Sequence, residues 1–205
     1  MPRPRSLSPA QLAAAALAVL DREGLEGLSM RTVAKELGMG TMSLYRYVTD
    51  RGQLEELVVD SVLSHTELEL PPADPFTRLR ILAERVYEAV RAHPSVVPLL
   101  LIHRHRSIVS RQWGEIALGV LDEAGFTGKN RAIAFRAYLS HVLGALQTGY
   151  YSPLDGAGTA ALSGQDQFPM LAETAKAARE VRAEEEFREG LELLLRGFKD
   201  ATRGP

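Results

Sequence analysis

The stretch from Ser29 to Arg51 constrains the fold of this chain more than any other, because it encodes two short helices separated by only three residues. Ser29 is placed to cap the first helix, and Gly38 is expected to end it in the left-handed conformation that glycine adopts readily. Three apolar residues share one face of this helix: Val33, Ala34 and Leu37. A second helix, predicted over Thr41 to Tyr47, must then cross the first steeply, as in a helix-turn-helix.

The second helix has a surface without carboxylates, since no Asp or Glu occurs from Gly38 to Thr49. Leu44 is expected to point inward. The other side chains offer hydroxyls, a guanidinium and aromatic edges: Thr41, Met42, Ser43, Tyr45, Arg46 and Tyr47. Because a carboxylate facing phosphates would repel them, this composition favours a polyanionic partner. A helical hairpin that only packs is the alternative interpretation of the bare motif.

Around this hairpin, the segment from Leu20 to Leu57 carries further motif positions at fixed intervals. These are Gly24 and Leu28 before the hairpin, Val33-Ala34, Leu37-Gly38, Leu44-Tyr45, and a basic residue opening the next helix. The segment resembles the DNA-binding domain of the TetR family of transcriptional repressors. Departures from the family pattern occur at Gly40, where the family often has a capping Ser, and at Val48, Arg51 and Gly52, which replace the usual Phe, Lys and Glu.

The resemblance implies a set of DNA contacts on double-stranded DNA, residue by residue. Four side chains are expected near base edges: Arg31, Thr41, Met42 and Ser43. Four others are expected to hold phosphates: Ser29, Tyr45, Tyr47 and Arg51. Arg31 is the best candidate for a bidentate contact with guanine, which the guanidinium fork suits.

Charge and composition agree with a DNA-binding end and a separate body. Residues 1–52 contain seven Lys/Arg against five Asp/Glu, whereas the remaining residues contain seventeen against twenty-one. The chain of 205 residues has no cysteine, so disulfides and thiolate metal sites are excluded and a reducing cytoplasm is the expected compartment. No apolar run is long enough to span a bilayer, and the start lacks the apolar segment of a secretory signal.

The chain is predicted to be all-α, with an N-terminal three-helix DNA-binding domain over residues 1–52 and a connecting helix and linker over 53–74. Arg3 and Arg5 are expected in a flexible basic arm. Ser8-Pro9 should open the first helix, which Gly24 should end. Asp50 is expected to cap a fourth helix that continues toward Leu68.

Residues 75–205 are predicted to form a helical ligand-binding and dimerisation domain. The expected helices cover Phe76 to Ala92, Ser95 to His103, Ser107 to Ala124, Lys129 to Tyr151, Met170 to Arg182 and Glu184 to Thr202. Between the fourth and fifth of these, Ser152 to Gln167 is rich in Gly and small polar residues and is expected to be a loop. No strand pattern and no internal repeat is found.

Two late helices have the apolar surfaces of partner-binding elements. From Ala132 to Tyr150, apolar residues occupy nearly the whole circumference, so this helix needs cover on all sides. The last helix has an apolar stripe: Phe187, Leu191, Leu194, Leu195 and Phe198. Burial in a monomer core explains that stripe about equally well. The stretch FREGLELLLRGF resembles the tetracycline-repressor type of C-terminal domain, and this resemblance implies a homodimer built from these two helices.

A pocket for a small-molecule effector is expected in the body, lined by amphipathic side chains: Trp113, Phe135, Tyr138 and His141. Ordinary core packing is an equally good interpretation of each one. No metal site and no cofactor are predicted. His103 and His105 are two residues apart, so on a helix they point about 200° away from each other and cannot chelate one ion together.

No catalytic residues are proposed, because the motifs HExxH, GxxxxGKS and GxSxG are absent from the sequence. The two resemblances imply a ligand-responsive, dimeric transcriptional regulator of the repressor type, which binds a palindromic operator and is released by an effector. The alternative is an all-helical protein-interaction module without DNA binding.

Overall fold

A computed structural model describes residues 7–165 and 167–202, and within them every regular element is helical. The helices are α1 (Pro9–Gly27), α2 (Met30–Glu36), α3 (Thr41–Leu44), α4 (Arg51–Leu63), α5 (Pro75–Arg91), α6 (Val97–His103), α7 (Ile108–Glu123), α8 (Gly128–Tyr151), α9 (Ala157–Leu162), α10 (Pro169–Ala178) and α11 (Ala183–Thr202), with a 3₁₀ turn at Pro94–Val96. The predicted all-α class is confirmed. Arg3 and Arg5, expected in a basic arm, lie outside the described residues.

The helices form two compact units. The first comprises residues 7–68 together with 88–114, and the second comprises residues 69–87 together with 115–165 and 167–202. α1, α2, α3, α4 and α6 belong to the first unit, and α8 to α11 belong to the second.

α1 begins at the predicted cap. The Ser8 Oγ accepts a hydrogen bond from the Gln11 backbone N–H at 3.2 Å, and the Gln11 Oε1 accepts one from the Ser8 N–H at 3.0 Å. This reciprocal pair is a capping box. The helix was expected to end at Gly24, where the structure shows a kink with φ of 70° instead. One further turn follows to Gly27, and Leu28, the C-cap of the helix, is buried.

The helix-turn-helix is built as predicted at its turn but is shorter at its end. Gly38 has φ of 65° and ends the first helix of the pair. α3 stops at Leu44 instead of Tyr47, because the chain after it turns inward and buries the side chain of Val48. Turn hydrogen bonds take over from the helical ones, with the Tyr47 N–H donating to the Leu44 carbonyl at 2.9 Å.

The turn allows a matched test of backbone conformation at its two outer glycines. Gly38→Ser should lower the free energy of unfolding by about 1 to 2 kcal/mol, because a side chain is strained at φ of 65°. Gly40→Ser should leave it equal or raise it by a few tenths, since Gly40 is the N-cap of α3 in extended backbone and its added Cβ meets no atom within 4 Å. Urea unfolding followed by circular dichroism measures both, and equal losses would contradict the left-handed conformation at Gly38.

α4 begins at the predicted cap and ends earlier than expected. The Asp50 Oδ1 accepts a hydrogen bond from the Gln53 backbone N–H at 2.9 Å. The helix ends at Leu63, not near Leu68, because the chain turns at Ser64 and the Thr66 N–H donates to the Leu63 carbonyl at 2.9 Å. The apolar side of α4 is buried in the first unit: Leu54, Val58, Val59, Val62 and Leu63.

In the second unit, the prediction of a loop between α8 and α10 was wrong. The segment from Ser152 to Gln167 contains the six-residue helix α9, because alanines at 157, 160 and 161 are strong helix formers after the extended Gly156. α10 also ends at Ala178, four residues before the predicted Arg182. Two buried aromatic rings pack in the core of this unit, since those of Tyr87 and Phe187 stack with centroids 3.9 Å apart.

Candidate nucleic-acid interface

α3 presents one buried and one exposed side, as its sequence predicts. Leu44 has no exposed surface, whereas Met42 is 80% exposed. Tyr45 and Tyr47 are exposed as well, and Thr41 and Ser43 are half-buried beside them. The inward orientation of Leu44 is therefore confirmed. The outer surface of α3 offers polar and aromatic groups without a carboxylate among them.

The start of α2 places two more of the predicted contact residues. Ser29 is the N-cap, and its Oγ accepts a hydrogen bond from the Thr32 backbone N–H at 3.1 Å. Thr32 in turn donates its hydroxyl to the Gly27 carbonyl at 2.7 Å, which ties the cap to the end of α1. Arg31 follows on the exposed side of α2, so its guanidinium is accessible. A rigid cap therefore supports the backbone from which Arg31 projects.

Arg51 lies at the first position of α4 and is held on two sides. Its Nε donates to the Glu55 Oε1 at 2.6 Å, and its Nη2 donates to the Leu25 carbonyl at 3.3 Å. The neighbouring Asp50 carries the cap, and the Gln53 backbone N–H holds the pKa of that carboxyl below its ordinary value. The side chain of Arg51 remains about half exposed.

A polar cluster that the sequence patterns do not indicate joins α4 to the end of α6 within the first unit. Glu55 Oε2 lies 2.8 Å from the His103 Nε2, and Glu56 Oε1 lies 2.6 Å from the Arg106 Nη1. Hydrogen bonding to Glu56 raises the pKa of Arg106 above its ordinary value. The only local signal was the i, i+4 spacing of Arg51 and Glu55, since His103 is 48 residues from Glu55.

The predicted effector residues are not all in one unit. Trp113 belongs to the first unit, and Phe135, Tyr138 and His141 lie on α8 in the second. The Tyr138 hydroxyl donates to the Leu79 carbonyl at 2.6 Å, and burial raises the pKa of Tyr138 well above its ordinary value. The polar atoms of this tyrosine are thus satisfied inside the protein, and its role toward a ligand stays a prediction.

His141 is packed against α11. Its Nε2 lies 3.1 Å from the Phe187 carbonyl oxygen, and its ring stacks on the Phe187 ring at 5.5 Å between centroids. Gly190 makes this approach possible, because a Cβ there would lie 2.8 Å from the His141 Cε1. The contact explains one glycine of α11 by packing, and the effector role of His141 also stays a prediction.

Two models of protein families match the chain. Residues 12–54 match the bacterial regulatory proteins of the tetR family, and residues 70–202 match the tetracyclin repressor-like C-terminal domain. The chain belongs to the tetR family of bacterial regulatory proteins. Together the two matches cover the helix-turn-helix and the body, and they confirm both resemblances predicted from the sequence. As a member of this family the chain is a transcriptional regulator.

Individual relatives support the same assignment. The HTH-type transcriptional repressor DrrR1 of Streptomyces coeruleorubidus is 37% identical over 142 residues, which cover 67% of this chain and 52% of that repressor, so the match spans about half the length of this relative. The class D tetracycline repressor of Escherichia coli is 27% identical over 90% of this chain and 86% of its own. Streptomyces coelicolor ActR in complex with actinorhodin has the same fold, with a TM-score of 0.78 at 24% identity over 97% of this chain and 99% of its own.

Two further properties of the described residues bear on partners. None of the helices within 7–165 and 167–202 is long and apolar enough to cross a membrane. In that same part of the chain, no group of three or more His, Asp or Glu side chains is arranged to hold a metal ion.

Proposed function

We propose that this tetR-family chain represses transcription as a homodimer, which binds a palindromic operator and is released by a small-molecule effector. The observation that carries the proposal is the outward, carboxylate-free surface of α3, with Leu44 buried behind it and Met42 exposed in front. An α-helix presented in this way fits the major groove, where side chains reach base edges. Action on DNA places the protein in the cytoplasm, and no catalytic step is part of its function.

In this proposal, residues 1–52 bind DNA, residues 53–74 connect, and residues 75–205 bind the effector and dimerise. Bases are read by four side chains: Arg31, Thr41, Met42 and Ser43. Phosphates are held by four others: Ser29, Tyr45, Tyr47 and Arg51. Exposure supports the assignment, because Arg31, Met42, Tyr45, Tyr47 and Arg51 are all accessible on the first unit.

The homodimer is proposed to form through α8 and α11. α8 buries one stripe in its own unit: Ala134, Tyr138, Val142 and Leu146. Its other apolar residues are incompletely covered, with Ile133 57% exposed, and Leu193 on α11 is exposed as well. A groove of about 520 Å³ lies between the two helices and includes Ile133, Phe126 and Phe198. Exposed apolar surface of this kind marks a protein–protein interface.

Twofold symmetry explains how an effector can control binding. The two recognition helices must meet half-sites about 34 to 36 Å apart, one turn of the duplex. An effector that binds better to a form with another spacing weakens operator binding by the difference in its affinities for the two forms. ActR has been solved in complex with actinorhodin, and two relatives are named tetracycline repressor proteins. The effector here is proposed to contact Phe135, Tyr138 and His141 in the second unit.

The direct test is to recover bound duplexes from random or genomic DNA and to measure affinity for the selected site and for altered sites. Arg31→Ala should relax preference at one base pair by about 1 to 3 kcal/mol, because a base-edge contact is lost. Arg51→Ala should weaken all duplexes alike and reduce the salt dependence of binding, because a phosphate contact is lost. The two arginines are matched, since both are exposed in the first unit.

Two results would contradict the proposal at different levels. Equal loss on all sequences for Arg31→Ala would refute its assignment to a base edge. If the unaltered protein binds no duplex at any salt concentration, the alternative function as a protein-interaction module would be favoured instead. Screening small molecules for release of the selected duplex then tests the effector step.

A further inference from the structure

A buried histidine outside the predicted DNA contacts lies at the centre of the polar cluster in the first unit. His103, the last residue of α6, is only 6% exposed. Its Nε2 lies 2.8 Å from the Glu55 Oε2. A carboxylate only accepts hydrogen bonds, so Nε2 carries the proton and donates it. The Nδ1 has no hydrogen-bond partner among the described residues.

Glu55 joins this histidine to Arg51 through its two oxygens. Oε2 accepts from His103, and Oε1 accepts from the Arg51 Nε at 2.6 Å. The Glu55 side chain is 12% exposed, whereas that of Arg51 is 47% exposed. The carboxylate is therefore an internal bridge between a buried residue and a surface cation. Charge-assisted hydrogen bonds of this length are the strong ones in proteins.

The bridge leaves one donor group of Arg51 available. Nε is used by Glu55, and Nη2 donates to the Leu25 carbonyl. Nη1 has no partner within the described residues. The guanidinium is thus fixed along one edge, and its remaining amine is free to meet a ligand oxygen. Glu56 does not compete for His103, because it is paired with Arg106 at 2.6 Å while its distance to the His103 Nδ1 is 3.9 Å.

We propose that His103 is a positioning residue for DNA binding, which acts through Glu55 to hold the Arg51 guanidinium ready for a phosphate. The inference rests on the proposed function, since it assumes that Arg51 contacts the DNA backbone. A flexible arginine loses rotamer freedom when it binds, and an arginine that is already held loses less. His103, buried inside the unit, contributes to holding the Arg51 side chain in one conformation before DNA binds.

The test compares duplex binding by three variants. His103→Leu and His103→Phe remove the donor and are expected to weaken binding about three- to tenfold, because Arg51 must then be ordered on binding. His103→Gln retains an N–H donor for Glu55 and should restore most of the affinity. The slope of log affinity against log salt should fall toward that of Arg51→Ala in the first two variants and not in the third. Thermal unfolding identifies any variant that is not folded.

The same substitutions in an Arg51→Ala background separate positioning from a general structural role. If His103 acts through Arg51, His103→Leu has no further effect on binding once Arg51 is absent. An equal loss in both backgrounds would overturn the proposal. Failure of His103→Gln to restore binding in a folded protein would do so as well.

A readout without DNA keeps this proposal distinct from the proposed function. The Nε–H resonance of Arg51 is assigned by its disappearance in Arg51→Ala, and it should move toward that of a free arginine in His103→Leu and return in His103→Gln. An unchanged resonance in His103→Leu would overturn the positioning of Arg51 by His103. This result would leave the proposed function intact if the unaltered protein binds its duplex. If the unaltered protein retains no duplex, the proposed function fails, and a DNA-positioning role for His103 fails with it.

Discussion

Replacing Ile133 with Glu is expected to dissociate the dimer and to reduce operator affinity by about 10²- to 10⁴-fold, because one half-site is then held without the other. Ile133 lies on α8 beside the groove that Phe126 and Phe198 line. It is 57% exposed in the single chain, so a charge there costs little in the monomer. Burying that charge against a partner subunit costs far more. Light scattering after gel filtration measures the mass, and titration of the selected duplex measures the affinity.

Ile108→Glu provides the matched control. Ile108 is also 57% exposed, and it opens α7, where an acidic residue suits the helix dipole. The same substitution should therefore leave both the mass and the affinity unchanged. Leu193→Glu, on the exposed side of α11, should behave like Ile133→Glu. A dimer that persists in both α8 and α11 variants would show that these helices do not form the interface.

Much of the first unit was predictable because its signals are local. The caps at Ser8, Ser29 and Asp50 all form with residues three positions away, as their sequence spacing indicates. Gly38 turns the chain for a reason contained in its own backbone. The buried face of α3 was also readable, since Leu44 is the one clearly apolar residue between polar neighbours. Short-range chemistry therefore predicts the hairpin and its outer surface.

The features that were missed depend on long-range packing. α3 ends early because Val48 is buried, which its own neighbours do not reveal. The bridge from Arg51 through Glu55 to His103 needs two segments that only the tertiary fold brings together. The effector residues were predicted from their amphipathic side-chain type, yet the Tyr138 hydroxyl donates to the Leu79 carbonyl. Residue type alone does not separate a ligand anchor from a satisfied core group.

The strongest support for DNA binding therefore comes from the exposed surface of α3. There the sequence and the structure agree, since each outward residue lacks a negative charge and the inward one is fully buried. The polar cluster on α4 adds a second feature, because its hydrogen bonds hold the guanidinium of Arg51 on the same unit. A protein that recognises a DNA sequence needs both side chains that contact bases and well-held side chains that contact phosphates and fix its register on the duplex.

Two substitutions within α3 test this orientation directly. Leu44→Ala should lower the free energy of unfolding by about 2 to 5 kcal/mol, because it removes a completely buried side chain and leaves a cavity. Met42→Ala, at an 80% exposed position two residues away, should change stability by less than about 0.5 kcal/mol. Urea unfolding measures both values.

The binding of DNA should show the opposite ranking in protein that remains folded. Met42→Ala should weaken the selected operator and alter its preferred bases, since the side chain is proposed to lie against base edges. Leu44→Ala, assayed at a temperature where circular dichroism shows the native fold, should retain the sequence preference even where its active fraction is reduced, because Leu44 faces the core. Normal affinity and preference in Met42→Ala would mean that the exposed side of α3 does not read DNA.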